Sequence, residues 1–214
     1  MEKYAKDFRR AAWEDMRGRW GTMALIAFVG ALITGACGIL SYIDDYLGIL
    51  GVIALLLIGG ALALGMATAV LTTARRGEPK VGMLFSGFRR FGASLALCLL
   101  IGIFTFLWSL LLIIPGIVKA YSYSMSYFIL ADYPELSAND ARKESMRIMS
   151  GYKWRLFCLD FSFIGWYLLC ILTLGILTFW VAPYQQTARA KFYQELIGDV
   201  HVRATPADGV AKTV

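Results

Sequence analysis

Apolar residues are gathered into long runs along this chain, and polar residues separate the runs. A helix needs about 20 mainly apolar residues to cross the hydrocarbon core of a bilayer. Six runs meet or approach that length, and they cover about residues 20–40, 47–71, 93–114, 117–131, 156–173 and 176–190. The pattern therefore predicts an all-α membrane protein with six transmembrane helices.

Short connections join these runs on one side of the predicted membrane. The segment SYIDDY follows the first run, Pro115-Gly116 follows the third, and Leu174-Gly175 follows the fifth. Proline and glycine interrupt helices, so we expect a turn at each of the last two places. The six helices would then form three hairpins with little protein on the outer side.

Lysine and arginine are distributed unevenly among the polar segments. If the N-terminus is inside and each run crosses once, 20 of the 21 cations fall on one side, and only Lys119 lies near the other. Cytoplasmic loops carry an excess of cations, because cations resist translocation. The sequence therefore predicts that both termini are cytoplasmic.

Composition also indicates a membrane environment. Of the 214 residues, 58% are hydrophobic and 17% are charged, and the mean hydropathy is +0.61. Soluble domains carry about 25% charged residues. The net charge of +6 does not indicate nucleic-acid binding, because the cations lie between apolar runs and not along a soluble face. We expect the lipid bilayer as a partner and no nucleic acid.

A short phrase of glycine, aromatic and basic residues occurs three times, each time just before an apolar run. Its glycines are Gly18, Gly87 and Gly151, which are 69 and 64 residues apart. Aromatic rings settle at the headgroup level, neighbouring cations meet anionic headgroups at the cytoplasmic face, and glycine lets the chain turn. The predicted interface joints comprise Gly18, Trp20, Gly87, Phe88, Arg89, Gly151, Tyr152, Lys153 and Trp154.

The joints divide residues 1–198, taken as one domain, into three predicted hairpin repeats of about 1–72, 73–132 and 133–198. A cytoplasmic amphipathic helix is expected before each hairpin. In the first of them Tyr4, Phe8, Ala11, Ala12 and Met16 recur at helical spacing. Such a helix fits a collar on the membrane surface or a docking site for a partner. Residues 199–214 are predicted to form a disordered tail.

Small residues recur every four positions in the second run. One series is Gly59, Ala63 and Ala67, and the other is Ala61, Gly65 and Ala69. Small residues at this spacing let helix backbones approach closely in a membrane. The stripes fit packing within the chain, and they also fit the interface of a homo-oligomer.

Polar side chains inside the apolar runs are the candidates for function, because burying them in lipid is costly. Lys119, Tyr123, Ser126 and Tyr127 share one helix face by three- and four-residue spacing. Lys119 can snorkel to the interface or contact an anionic ligand. The hydroxyls can join helices or line a polar pathway.

A second set of polar residues lies in the last two runs. Asp160 and Arg189 lie at similar depth, so we expect a salt bridge from Asp160 to Arg189 or to Lys191. The candidate ligand or pathway residues are therefore Lys119, Tyr123, Ser126, Tyr127, Asp160 and Arg189.

The sequence contains no motif that would indicate a reaction. There is no GxSxG, HExxH or P-loop pattern, and the one histidine, His201, lies in the polar C-terminal segment. The four cysteines lie inside apolar runs, where they act as small hydrophobes. We therefore predict no catalytic residue, no metal, no cofactor and no enzymatic activity.

Three stretches of the chain carry a family resemblance: LLIIPGIVKAYSYSMSYFILADYP, SMRIMSGYKWRLFCLDFSFIGW and APYQQTARAKFY. They are similar to a bacterial integral-membrane family called domain of unknown function nine hundred and seventy-five. The matching positions are Trp108, Pro115, Gly116, Tyr121, Ser145, Met149, Gly151, Tyr152, Lys153, Pro183, Tyr184, Ala188, Phe192 and Tyr193. The resemblance covers about residues 5–198. It implies a multi-pass protein of the bacterial cytoplasmic membrane and implies no activity.

Two functions fit these observations. The first is a non-enzymatic membrane protein that binds or moves a lipid-like or small anionic ligand. The second is a scaffold or immunity-type protein that recognises another membrane protein or a membrane-active peptide. The first predicts that Lys119, Tyr123, Ser126 and Asp160 line one cavity. The second predicts a dry core and an exposed small-residue face on the second transmembrane helix.

Overall fold

A computed structural model describes residues 4–40 and 45–204, and this part of the chain is helical without any strand. The all-α class predicted from the sequence is confirmed. The α-helices are α1 (Ala5–Met16), α2 (Trp20–Leu40), α3 (Asp45–Ala74), α4 (Phe91–Leu111), α5 (Ile113–Tyr123), α6 (Ser126–Asp132), α7 (Ala138–Ile148), α8 (Lys153–Phe161), α9 (Ile164–Leu172) and α10 (Thr178–Ala204). A 3₁₀ helix, Val81–Arg90, precedes α4.

Four stretches of the described chain are helical, long and apolar enough to cross a membrane. They are Trp20–Ile39, Gly51–Ala74, Val81–Leu110 and Lys153–Leu172. Large apolar side chains also cover the outside of the molecule; Ile114 is 76% exposed and Leu172 is 81% exposed. A soluble protein rarely presents apolar patches on this scale, so the surroundings of these helices are lipid.

The predicted fourth and sixth membrane helices are not among these four stretches. The fourth run is divided, because α5 ends at Tyr123 and α6 begins at Ser126. The Ser124 hydroxyl donates to the Tyr121 carbonyl at 2.8 Å, and such local bonds compete with the helical pattern. The sixth run forms the first part of α10, which continues through polar residues.

The turn after the third run lies three residues before the predicted one. Leu112 is extended, and α5 begins at Ile113, so Pro115-Gly116 lies inside a helix instead of ending one. Pro115 is tolerated because backbone N–H groups in the first turn have no intrahelical acceptor. A Cβ on Gly116 would lie 2.3 Å from the Ser109 hydroxyl, so this glycine lets α5 fold back closely on α4.

The turn predicted at Leu174-Gly175 is present between α9 and α10. Leu174 has φ +52° and Gly175 has φ +84°, and the Gly175 N–H donates to the Cys170 carbonyl at 2.8 Å. At the other end of α10 the helix continues to Ala204, six residues into the predicted tail. Residues 205–214 of that tail, and 41–44 of the predicted SYIDDY connection, lie outside the described residues.

The three joint glycines do not share one structural role. Gly18 has φ +76° and Gly151 has φ +84°, and they follow α1 and α7 as the sequence predicts. Gly87 lies within the 3₁₀ helix, where a Cβ would come within 1.9 Å of the Ala61 carbonyl oxygen. Its missing side chain permits close packing on α3, whereas the other two permit a left-handed turn.

The small-residue stripe of α3 packs against the 3₁₀ helix of the same chain. Ala61 and Ala69 are fully buried, and a Cβ on Gly65 would lie 1.9 Å from the Leu84 carbonyl oxygen. Of the two interpretations of this stripe, packing within the chain is the one that the structure supports.

The apolar face of α1 packs on the protein and not on the membrane surface. Phe8, Ala12 and Met16 are buried, and the Phe8 ring meets the Phe192 ring of α10 at a centroid distance of 5.3 Å. The helix closes the bundle over α10, so Phe8, Ala12 and Met16 contact protein, whereas Tyr4 at the start of the helix is 69% exposed.

Candidate ligand-binding site

Helices α4 and α5 form a tight hairpin that presents two aromatic rings to two cations. Phe104 and Trp108 are one turn apart on α4, and Lys119 and Tyr123 are one turn apart on α5. The Lys119 Nζ lies 4.7 Å from the centroid of the Trp108 ring. A cation at this distance is attracted by the ring quadrupole, so Lys119 is held against α4.

Arg142 of α7 enters the same hairpin one turn away. Its Cζ atom lies 4.4 Å from the Phe104 ring centroid and 5.5 Å from the Tyr123 ring centroid. The residue is only 7% exposed. One guanidinium nitrogen donates to Asn139 Oδ1 at 2.9 Å, while Nε has no partner in the described part of the chain.

Neither cation has a carboxylate within salt-bridge distance among the described residues. Arg147, also on α7, differs from both because it has a carboxylate partner. Its side chain donates two hydrogen bonds to Glu144, at 2.5 and 2.8 Å. Those bonds lower the pKa of Glu144. Lys119 and Arg142 therefore lie about one helical turn apart along the α4–α5 hairpin, and neither has a counter-charge among the described residues.

The remaining residues of the predicted polar face are separated from this pair. The break between α5 and α6 interrupts the face, so Lys119 and Tyr123 belong to one helix and Ser126 and Tyr127 to the next. Ser126 is fully buried, and its hydroxyl has no partner in the described chain. The Tyr127 hydroxyl lies close to the Cys98 thiol of α4.

Asp160 and Arg189 form the predicted salt bridge, in a different part of the bundle. Arg189 Nε and one terminal nitrogen donate to the two carboxylate oxygens, each at 2.8 Å. Gln185 Nε2 donates to the same carboxylate at 3.0 Å, and the Tyr167 hydroxyl donates to Gln185. The Tyr121 hydroxyl also lies close to this carboxylate. The network joins α5, α8, α9 and α10.

The Asp160 network predicts a moderate stability effect. Asp160→Asn should lower the free energy of unfolding by about 2 kcal/mol, because the Arg189 guanidinium loses a charge-assisted, two-bond partner. Thermal unfolding in one detergent would measure the loss. Glu144→Gln, in an exposed ion pair, is the matched control and should change little. Equal losses in the two variants would contradict the structural role given to Asp160.

The single cavity predicted for Lys119, Tyr123, Ser126 and Asp160 stays a prediction. Three cavities between described residues, one beside α7, one between α1, α2, α9 and α10 and one on α2, are lined by other residues. The structure brings Lys119 and Tyr123 together, and it adds Arg142, which the sequence interpretation counted only as a cytoplasmic cation. Its position in an amphipathic helix gave no sign of burial, since arginine is usually exposed.

The arrangement of apolar helices, with polar clusters enclosed between them, is that of a helical membrane protein. The chain belongs to the family described as "Protein of unknown function (DUF975)", whose model matches residues 1–122 and 110–199. No curated protein and no solved structure matches the chain.

Proposed function

We propose that this protein is a non-enzymatic, multi-pass protein of the bacterial cytoplasmic membrane that binds or moves a lipid-like or small anionic ligand. In this proposal six helices cross the bilayer as three repeated hairpins, with both termini in the cytoplasm. Apart from Lys119 and the buried Arg142, the other 19 of the 21 cations fall on one side, and this distribution supports that topology. Anionic headgroups at the cytoplasmic face are further contacts for the basic joints.

The observation that carries the proposal is the pair formed by Arg142 and Lys119. A buried arginine without a carboxylate is unfavourable, because desolvation of its charge is not offset. A second cation one turn away adds repulsion. An anion bound between the two would offset both effects, and the planar guanidinium suits phosphate or carboxylate oxygens.

The surroundings of this pair favour a ligand that also has an apolar part. Ile117 and Val118, just before Lys119, are largely exposed on the outside of α5. An anionic group near Lys119 would therefore have lipid-facing apolar surface beside it. A phospholipid has both an anionic group and an apolar part, whereas a small inorganic anion has only the negative charge.

The alternative of a scaffold for another membrane protein has no comparable support. It predicts an exposed small-residue face on α3, and the stripe containing Ala61 and Gly65 is covered by the 3₁₀ helix.

Native mass spectrometry tests the proposal directly. Protein released from nanodiscs with equal amounts of phosphatidylglycerol and phosphatidylcholine should retain phosphatidylglycerol preferentially. The Lys119→Met/Arg142→Met variant should lose about tenfold in phosphatidylglycerol retention, which is about 1.4 kcal/mol. Lys143→Met removes a neighbouring exposed charge on α7, so it is the matched control and should retain the lipid.

A thermal-shift titration of delipidated protein with sodium phosphate separates the two ligand classes. Stabilisation by phosphate that the double variant lacks would identify a small anion as sufficient. In phosphatidylcholine alone, Arg142→Met should not destabilise the protein, because it removes a buried charge that has no carboxylate. Phosphatidylglycerol retention that is equal in wild type and double variant would refute the site.

A further inference from the structure

Four of the six tryptophans line one cleft between α1, α2, α9 and α10. The cleft has a volume of about 420 Å³, within the range of small-molecule sites. Its main lining residues are Trp13, Trp20, Trp166, Trp180, Leu177 and Tyr184. Among the described residues, no charged side chain lines the cleft, and neither Lys119 nor Arg142 does.

Tyr184 organises the wall of this cleft. Its ring lies 5.7 Å from the Trp13 ring, 5.7 Å from the Trp20 ring and 6.3 Å from the Trp166 ring, centroid to centroid. Its hydroxyl donates to the Arg9 carbonyl at 3.0 Å. The edge-to-face and tilted contacts fix the rings relative to one another, so the cleft is a preformed feature of the packed helices.

The medium at the mouth of the cleft is lipid. Trp20 begins one of the stretches able to cross a membrane, and Trp166 lies within another. Trp13 and Trp180 are each more than two-fifths exposed. An apolar cleft between such helices would be filled from the bilayer, because water gains no hydrogen bonds on an almost wholly apolar wall.

The indole N–H groups at the rim of the cleft need hydrogen-bond acceptors. Within residues 4–40 and 45–204, no indole N–H of the four tryptophans donates a hydrogen bond to the protein. Tryptophan at a membrane interface places its ring among acyl chains and its N–H near ester and phosphate oxygens. In the sequence, Arg17 lies between Trp13 and Trp20, and it is exposed at the end of α1.

We infer that this cleft holds one acyl chain of a bilayer phospholipid, with the ester and headgroup at the end formed by Trp13, Trp20 and Arg17. The apolar wall accepts the chain, the indole N–H groups donate to its ester oxygens, and Arg17 meets its phosphate. The headgroup lies outside the cleft, so the site selects an acyl chain and not a particular headgroup. This inference is independent of the anion site between α4, α5 and α7.

Quenching of tryptophan fluorescence by brominated acyl chains tests the inference on the full-length wild-type protein. Delipidated protein in detergent is titrated with phosphatidylcholine carrying bromines on one chain. More than half of the emission should be quenched at about one lipid per chain, because four of the six tryptophans line the cleft. Emission that falls only when brominated lipid is in large excess would overturn the inference, since that is the behaviour of non-specific annular contact.

Three variants sharpen this measurement. Leu177→Phe reduces the space in the cleft and should abolish quenching at one lipid per chain. Trp154→Phe removes a tryptophan that is 72% exposed outside the cleft, so the quenched fraction should rise slightly. Lys119→Met/Arg142→Met should quench as the wild type does, which separates failure of this site from failure of the anion site. A lipid-free dimer in native mass spectrometry would show that a second copy fills the cleft, and would overturn the inference.

Discussion

Asp15→Ala is expected to lower the free energy of unfolding by about 4 kcal/mol, because it leaves two cations without their shared carboxylate. Asp15 lies near the end of α1 and is only 3% exposed. Its two carboxylate oxygens meet Arg76 Nε at 3.0 Å and Lys191 Nζ at 2.5 Å. Lys191 also donates to the Ala74 carbonyl, so one carboxylate joins α1, the end of α3 and α10.

The larger part of this loss should come from Lys191. Its side chain is 20% exposed, whereas that of Arg76 is 75% exposed and can return to water. The double variant Asp15→Ala/Lys191→Met should therefore recover about half of the loss, because the stranded buried charge is removed as well.

Chemical unfolding in a single detergent would measure both variants. Glu14→Ala is the matched control, since Glu14 precedes Asp15 and pairs with Arg10 on the exposed side of α1. That variant should stay within about 0.5 kcal/mol of wild type. A loss below about 1 kcal/mol for Asp15→Ala, or no recovery in the double variant, would contradict the central place given to this carboxylate.

Features set by neighbouring residues could be predicted from the sequence. The first two apolar runs correspond to α2 and α3, and the positive φ of Gly18 and Gly151 follows from the need to turn after a helix. The Asp160 and Arg189 pair could also be predicted, because charges in adjacent apolar runs need partners. In each of these cases the local sequence pattern and the apolar surroundings favour the same structure.

Features set by distant contacts could not be predicted. The Asp15 carboxylate meets Arg76 and Lys191, which are far away in the chain, and nothing around it distinguishes it from its exposed neighbour Glu14. Arg142 is buried because α7 packs against the middle of α4, and no local pattern specifies that contact. The joining of four tryptophans in one cleft likewise depends on how four helices cross.

The division of the fourth run shows a limit of counting apolar residues. Residues 117–131 are apolar enough to suggest one helix. Two serines outside the predicted polar face donate to the backbone near the break, Ser122 to the Val118 carbonyl and Ser124 to the Tyr121 carbonyl. The 3₁₀ helix is a similar case, since its ten residues exceed the usual length of that structure and depend on packing against α3.

That packing gives the second large expected effect. Gly65→Ala and Gly87→Ala should each lower the free energy of unfolding by about 3 kcal/mol, because the new methyl group has no space. At Gly65 it would lie 1.9 Å from the Leu84 carbonyl oxygen, and at Gly87 it would lie 1.9 Å from the Ala61 carbonyl oxygen. Both obstacles are backbone atoms, so no side chain can rotate away and α3 must separate from the 3₁₀ helix.

Two glycines of the same elements provide matched controls. A Cβ on Gly59 of α3 or on Gly82 of the 3₁₀ helix would meet nothing within 4 Å. Gly59→Ala should be neutral or slightly stabilising, since alanine favours a helix by up to about 1 kcal/mol over glycine. Gly82→Ala should also be neutral. If thermal unfolding showed the same small change at all four positions, α3 and the 3₁₀ helix would not be packed backbone to backbone, and the small-residue stripe of α3 would again be available to a second subunit.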